Sequence, residues 1–338
     1  MSAATEFREA AAAVRRQANT VAEPLNKLIS RLRQAPPSLL MTCARGSSAN
    51  AAIFAKYLIE RHLGIPVGAI APSIATIYRR KLRLGGALFL ALSQSGRSDD
   101  LVESALMAKA AGALAVAIVN DPASPLAAAC DIVLPIEAGR EAGIAATKTF
   151  VATLAVLLRL TAAWAEDHAL SEAIERLPDR LSLASELDWS RGLSILAGAT
   201  SLVAIGRGGT LAIAREAALK LKEACDLHAE AFSGAEFLHG PIALVSPGYP
   251  ILIFPPTDAA AAGLDTLAAD LAHKGALVLR AGVGDATVTQ LPTLPRDHPD
   301  ADVLCLIQSF YAFLFKLAER RGTDLVSPRH LQKVTRTR

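Results

Sequence analysis

The sequence predicts an α/β protein in which one doubly wound parallel sheet is used twice. Three observations carry this expectation. Short apolar runs alternate with helical patterns over about 25 residues. Small-residue turns rich in Gly and Ser follow several of the runs. The same order of elements then returns about 162 positions later.

Taken in order, the first 35 residues carry helical spacing and stop at Pro36-Pro37, which a helix cannot cross. An apolar run, Ser38 to Cys43, leads through the turn Ala44-Arg45-Gly46-Ser47-Ser48 into a helical pattern that reaches about His62. The next strand, Ala87 to Leu92, ends in Ser93-Gln94-Ser95-Gly96-Arg97-Ser98 and is followed by a helix over Asp100 to Ala111. Further strands are expected at Leu114 to Val119 and at Ile132 to Ile136, the latter followed by a long loop and a helix from near Thr147. Such alternation implies right-handed βαβ units with helices on both faces of the sheet. Beyond a charged helical stretch, Leu202 to Ile205, Tyr249 to Phe254 and Leu277 to Arg280 take the places of the earlier strands, and Pro255-Pro256-Thr257 stands where Ser93-Gln94-Ser95 stood. The chain is therefore divided into an N-terminal helical segment (1–35), a first domain (36–165), a helical linker (166–190), a second domain (191–325) and a tail (326–338).

Composition agrees with this plan. Of 338 residues, 52% are hydrophobic but only 5% aromatic, so the core is expected to be Ala, Leu, Ile and Val rather than large rings. That apolar content excludes a disordered chain. Lys plus Arg number 35 against 32 acids, a formal charge of +3, which speaks against a dedicated nucleic-acid binder. Cys43, Cys130, Cys225 and Cys305 form no CxxC pair and read as reduced core thiols. The charged N-terminus lacks the apolar run of a secretory signal, and the most apolar stretch, Phe150 to Ala165, is cut by Arg159. A cytoplasmic protein with no membrane span is expected.

In open parallel sheets, ligands bind beyond the carboxyl ends of the strands. The Ser93–Ser98 loop lies there and offers three hydroxyls, an amide, backbone N–H groups and a helix N-terminus, a combination suited to phosphate. Ser47 and Ser48 occupy the corresponding turn after the first strand. The competing reading makes all of them ordinary turn and N-cap serines. No GxGxxG with a later acid and no GxxxxGK[ST] is present, so no nucleotide cofactor is expected.

Glu216, Lys220 and Glu223 have i, i+4, i+7 spacing and share one helix face. They could converge on a site or form a solvated face held by an ordinary Glu-to-Lys pair. Just after them, His228, Glu230, Glu236 and His239 fall in one Gly-containing segment, where proton transfer near neutral pH is favoured over metal binding. The tail from Ser327 to Arg338 is strongly basic, with Leu331 and Val334 flanking Lys333, and could either be solvated or dock to present an ammonium.

Six segments resemble, in order, the tandem sugar isomerase (SIS) domains of glucosamine-6-phosphate synthase. They are Ser93-Gln94-Ser95-Gly96, Ala145-Ala146-Thr147-Lys148-Thr149-Phe150, Ala218-Leu219-Lys220-Leu221-Lys222-Glu223, His228-Ala229-Glu230-Ala231, Glu236-Phe237-Leu238-His239-Gly240-Pro241 and Pro328-Arg329-His330-Leu331-Gln332-Lys333. The likeness runs from about residue 40 to the C-terminus and implies two flavodoxin-like domains. It implies a homodimer that binds a hexose or hexosamine 6-phosphate and completes its active sites across chains, without cofactor or metal. Ser47, Ser93, Gln94, Ser95 and Ser98 would hold the phosphate, with Ser48 a further candidate. Ala145 and Ala146 would contact the sugar. Glu223 would move the proton between C1 and C2 with help from Lys220, His239 would open the ring, and Lys333 matches the tail lysine that forms a Schiff base with the ketose. Glu216 joins this set by its place on the helix face.

Two departures matter. The synthase carries a glutaminase domain ahead of its SIS pair, whereas about 35 residues precede the first strand here, and Arg45 replaces a small residue. The chain is therefore similar to the stand-alone SIS-type glucosamine-6-phosphate deaminases. The expected reaction is conversion of an amino-sugar 6-phosphate to fructose 6-phosphate and ammonia. The alternatives are aldose–ketose isomerisation without deamination, a deglycase reaction, and non-catalytic phosphosugar sensing.

Overall fold

The computed structural model describes residues 3–325 and 329–330, so the expectation placed on Lys333 lies outside the described residues. In chain order, helices α1 (Ala3–Glu6), α2 (Ala10–Thr20) and α3 (Ala22–Gln34) come first. α3 buries Leu25, Leu28, Ile29 and Leu32 on one face, the stripe an amphipathic helix requires, and stops before Pro36-Pro37. Next come β1 (Leu40–Ala44), α4 (Gly46–Leu63), β2 (Val67–Ala69), α5 (Ser73–Thr76), β3 (Leu88–Ser93), α6 (Asp99–Ala110), β4 (Leu114–Val119), α7 (Pro125–Ala129), β5 (Ile132–Pro135) and α8 (Lys148–Ala165). The remainder is α9 (His168–Ala184), α10 (Ser190–Ala197), β6 (Ser201–Gly206), α11 (Thr210–Cys225), β7 (His228–Ser233), α12 (Gly234–Phe237), β8 (Pro250–Phe254), α13 (Ala261–His273), β9 (Leu277–Ala281), β10 (Thr289–Leu291) and α14 (Pro299–Arg321).

Two compact units result. One is built from Glu9–Glu141 and Lys148–Glu175; the body of the other runs from Arg176, joined by Ala142–Thr147 and the start of the chain. The first holds a five-stranded sheet in the order β2-β1-β3-β4-β5, and the second a five-stranded sheet in the order β10-β9-β8-β6-β7. Every pairing is parallel. Read from its other edge, the second sheet repeats the order of the first, the arrangement of flavodoxin-like α/β proteins. Burial on both faces explains why β3 and β4 read as unbroken apolar runs rather than alternating ones.

The structure corrects several expectations. β2 and α5 were not anticipated, because three or four residues give no periodic pattern to read. The Gly-containing segment after α11, to which no strand is assigned from the sequence, opens with the strand β7, paired to β6 with Ser201 opposite His228. Its first residues alternate, His228 and Glu230 exposed and Ala229 buried, but alanine is too weak a hydrophobe to mark a strand. Rings are few yet concentrated in the second unit, where Trp189, Phe254, Phe310 and Phe313 meet at centroid distances of 5.9–6.4 Å. Cys43, Cys225 and Cys305 are buried free thiols as expected, whereas Cys130 is half-buried.

Among the described residues α8 and α14 are long and apolar enough to cross a membrane by length and composition alone. They are 78% and 94% buried inside the protein over their most apolar windows, the state of core helices. Arg159 within α8 is partly paired, its Nη2 donating to Val14 O at 3.2 Å and its Nη1 standing 3.4 Å from Glu175, while its Nε is buried without a hydrogen-bond partner among the described residues. α14 begins with Pro299 and has Asp300 and Asp302 in its first turn, Arg320 and Arg321 in its last, and Gly322 in the left-handed region beyond it. Each complements a helix end, through the missing N–H, the macrodipole or the C-cap.

Candidate active site

In the first unit, Ala44 pairs with Leu92, so the turns after β1 and β3 leave the sheet side by side at its carboxyl end. Arg45 is the extended N-cap of α4, and Ser47 and Ser48 lie in that helix's first turn, where backbone N–H groups lack intrahelical partners. Ser93 closes β3 and is buried; its Oγ accepts from Gly96 N at 3.1 Å, while Ser95 Oγ accepts from Arg97 N at 3.3 Å. A hydroxyl that accepts still has a proton to donate. Gln94 O accepts from Asn120 N at 3.3 Å, tying the loop to the end of β4. Ser98 is the N-cap of α6 but makes no side-chain capping bond. Gly96 has φ 62°, and a Cβ there would stand 2.1 Å from Ser124 Oγ, so the turn is built against the N-cap of α7.

Arg45 is engaged within the loops. Its Nε and Nη2 donate to Asp100 Oδ2 at 3.0 and 2.8 Å, and the Asp100 side chain is only 4% exposed. The guanidinium thus bridges the turn after β1 to the first turn of α6.

The second unit carries the acid/base candidates. On α11, Glu216 and Lys220 are buried, with Lys220 Nζ 3.5 Å from Glu216 Oε1, and Lys220 also donates to Glu223. Glu223 is the member that reaches solvent, with 22% of its side chain exposed. The face is therefore a buried cluster rather than a solvated one. Tyr311 OH of α14 donates to Glu216 Oε1 at 3.3 Å, a partner 95 residues away that spacing could not reveal. Both ends of α11 are pinned. Thr210 Oγ1 donates to Phe254 O at 2.6 Å, and Arg321 Nε donates to Cys225 O at 2.8 Å.

His239 sits exposed in the turn after α12, its N–H donating to Glu236 O at 3.0 Å. His228, Glu230 and Glu236 are exposed, and among the described residues no three His, Cys, Asp or Glu side chains are grouped to hold a metal ion. Ala145 and Ala146 are half-buried in a loop whose Ala142 and Gly143 N–H groups both donate to the Glu6 carboxylate at 2.8 Å. Lys148, in the other unit, is 1% exposed and stands 2.7 Å from Glu9. Glu6, Glu9 and Tyr311 hydrogen-bond respectively to the Ala142–Gly143 backbone, to Lys148 and to Glu216, and no local pattern in the sequence marks them.

Two doubly wound sheets, a hydroxyl-rich loop at the strand ends and a buried Glu–Lys–Glu face define an α/β enzyme. The chain belongs to the SIS domain family, whose model matches residues 34–163 and 195–280. It is 34% identical over 307 residues to the glutamine:fructose-6-phosphate aminotransferase (isomerizing) of Symbiobacterium thermophilum, covering 86% of this chain and 50% of that protein. To the protein of that name in Zymomonas mobilis it is 32% identical over 317 residues, with the same coverage. The chain thus spans about half the length of the curated relatives it matches. Among solved structures it is similar to a Silicibacter pomeroyi protein provisionally described as a phosphosugar isomerase, at 42% identity and TM-score 0.91, covering 95% of this chain and 98% of the other. The C-terminal domain of the Francisella tularensis glucosamine-fructose-6-phosphate aminotransferase gives 26% identity and TM-score 0.84, covering 95% and 96%. The glucosamine-6-phosphate deaminase of Thermotoga maritima, at 22% identity and TM-score 0.73 over 97% and 100%, shares the fold.

Proposed function

We propose that the enzyme converts glucosamine 6-phosphate, or a close analogue, to fructose 6-phosphate and ammonia. The observation that carries this reading is the α11 face, where a buried Lys220 ammonium holds a solvent-reaching Glu223 carboxylate. Ser47, Ser93, Gln94, Ser95 and Ser98 grip the phosphate and so orient C1 and C2. His239 passes a proton to and from the ring oxygen as the pyranose opens. Glu223 removes the C2 proton of the open aldehyde, giving an enolamine, and returns a proton at C1. Water then adds to the C2 imine, and the C–N bond breaks to leave the ketose and ammonia. Ala145 and Ala146 line the sugar, and Lys333 matches the tail lysine of the synthase. We read the two units as one fold used twice, and the enzyme as a cytoplasmic homodimer with active sites shared between chains.

Isomerisation of a hexose phosphate without loss of ammonia is the second reading, favoured by the solved relative at 42% identity. Ammonia release, followed by a coupled assay with glucosamine 6-phosphate beside galactosamine 6-phosphate, decides between them. Stoichiometric ammonia and fructose 6-phosphate support deamination. Interconversion of hexose phosphates with no ammonia from either amino sugar supports the second reading, and binding without turnover of any of them overturns both.

A further inference from the structure

A cavity of about 370 Å³ opens at the carboxyl ends of β8 and β9 in the second unit, and nothing in the reaction proposed above uses it. Its place corresponds to that of the Ser93–Ser98 loop in the first unit, at the strand ends where doubly wound sheets receive ligands. The chemistry differs. Pro255 and Pro256 follow β8 and bring no N–H groups, so this loop cannot cradle an anion with its backbone as a serine turn does. Guanidinium groups line the cavity instead, from Arg180, Arg280 and Arg296, beside apolar walls that include Leu294 and Leu306.

Two of these arginines are built in. Arg280 is 6% exposed, and the turn after β9 is shaped around it, since a Cβ at Gly284 would stand 2.6 Å from Arg280 Cδ. Its Nη1 donates to Ala281 O at 2.9 Å and its Nε to Asp265 Oδ1 at 3.1 Å. Arg180 Nη2 donates to Pro295 O and to Asp302 Oδ1, both at 2.8 Å. Arg180 Nε is buried with no hydrogen-bond partner among the described residues and stands 3.8 Å from Asp297 Oδ2. Asp302 is the one acid in the lining, and it is occupied by Arg180, by Thr257 Oγ1 at 3.0 Å and by Asp297 N at 3.3 Å. Arg280 is paired to Asp265 through Nη2 as well as Nε, and Arg180 to Asp302, so the positive charge open to a ligand comes from Arg296 and from the idle Nε of the mostly buried Arg180, and a guanidinium with an idle donor favours an oxyanion.

We propose that this cavity is a second binding site, for a small organic oxyanion carrying a phosphate or carboxylate group, distinct from the substrate site of the first unit. Isothermal titration of the full chain with inorganic phosphate, a hexose 6-phosphate and citrate tests it, each ligand added to the unsubstituted protein and to Ser95→Ala, Arg296→Ala and Arg280→Gln variants. At least one ligand is expected to bind Ser95→Ala as it binds the unsubstituted chain, and to bind about tenfold more weakly when Arg280 or Arg296 is replaced. Which ligand does so tells a sugar phosphate from a carboxylate. Arg296 is exposed, so its replacement remains informative should Arg280→Gln fail to fold. Loss of all binding in Ser95→Ala overturns the proposal, as does binding that Arg296→Ala and every foldable Arg280 variant leave unchanged.

Discussion

Lys220 Nζ lies 3.5 Å from Glu216 Oε1, and the two side chains are 1% and 0% exposed. A buried pair of this kind adds little net stability, because desolvation offsets its attraction, and breaking it strands a charge only where no second partner remains. Lys220 keeps Glu223 as a partner when Glu216 is removed, so Glu216→Ala is expected to cost about 1–3 kcal/mol in urea unfolding, chiefly from the Tyr311 hydroxyl losing that acceptor. Glu216→Leu combined with Lys220→Met should recover part of that loss. A double variant no more stable than Glu216→Ala would mean that the pair contributes net stability.

Glu223 is the only carboxylate of this face that combines contact with Lys220 and access to solvent. Glu223→Gln should bind the sugar phosphate nearly as the unsubstituted enzyme does, while kcat falls by roughly 10²–10⁴-fold, the usual size of a general-base contribution. Equilibrium binding measured beside steady-state kinetics separates the two effects. Unchanged kcat removes Glu223 as the base.

The bridge from Arg45 to Asp100 links the turn after β1 to the first turn of α6. Arg45→Ala would leave a nearly buried carboxylate in the first turn of α6, close to where an incoming phosphate would stand. KM for the phosphorylated substrate is expected to rise about tenfold with less change in kcat, as for loss of one charge-assisted bond. Adding Asp100→Asn should restore most of it. If KM rises as much in the double variant, the effect comes from lost packing instead.

Burial pushes the thiols of Cys130, Cys225 and Cys305 up to about 12 and that of Cys43 to about 11, from an ordinary 9.0. The folded state therefore keeps protons that the unfolded chain loses first. This contribution is complete below pH 9 and is lost as pH climbs toward 12, by about 1.4 kcal/mol per pH unit for each thiol within its window. Urea unfolding between pH 8 and pH 10 should show falling stability, with a shallower slope in Cys305→Ala. An equal slope in both proteins would remove Cys305 from that account.

Legibility in the sequence followed the kind of force at work. β4 was readable to the residue, Leu114–Val119, because both its faces are buried and every residue is apolar. β7 was hidden because its inward residue, Ala229, is small. The spacing of Glu216, Lys220 and Glu223 placed them on one face, but only the fold reveals that α14 covers that face and supplies Tyr311. Glu6 was illegible for the same reason, since its partners Ala142 and Gly143 are 136 or more positions away. The paired prolines at 255 and 256 signalled that the second loop had lost its hydroxyl chemistry. The arginines that line its cavity come from distant positions, 180, 280 and 296, that no local pattern joins.

The contact between Gly96 and Ser124 has a consequence for inheritance. A side chain at 96 would collide with the hydroxyl that caps α7, the helix whose Leu126 N donates to Gly96 O at 3.1 Å. Positions 96 and 124 are thus expected to change only together or not at all. A substitution at Ser124, which is fully buried, would register in an assay as damage to ligand recognition rather than as a loss of stability alone.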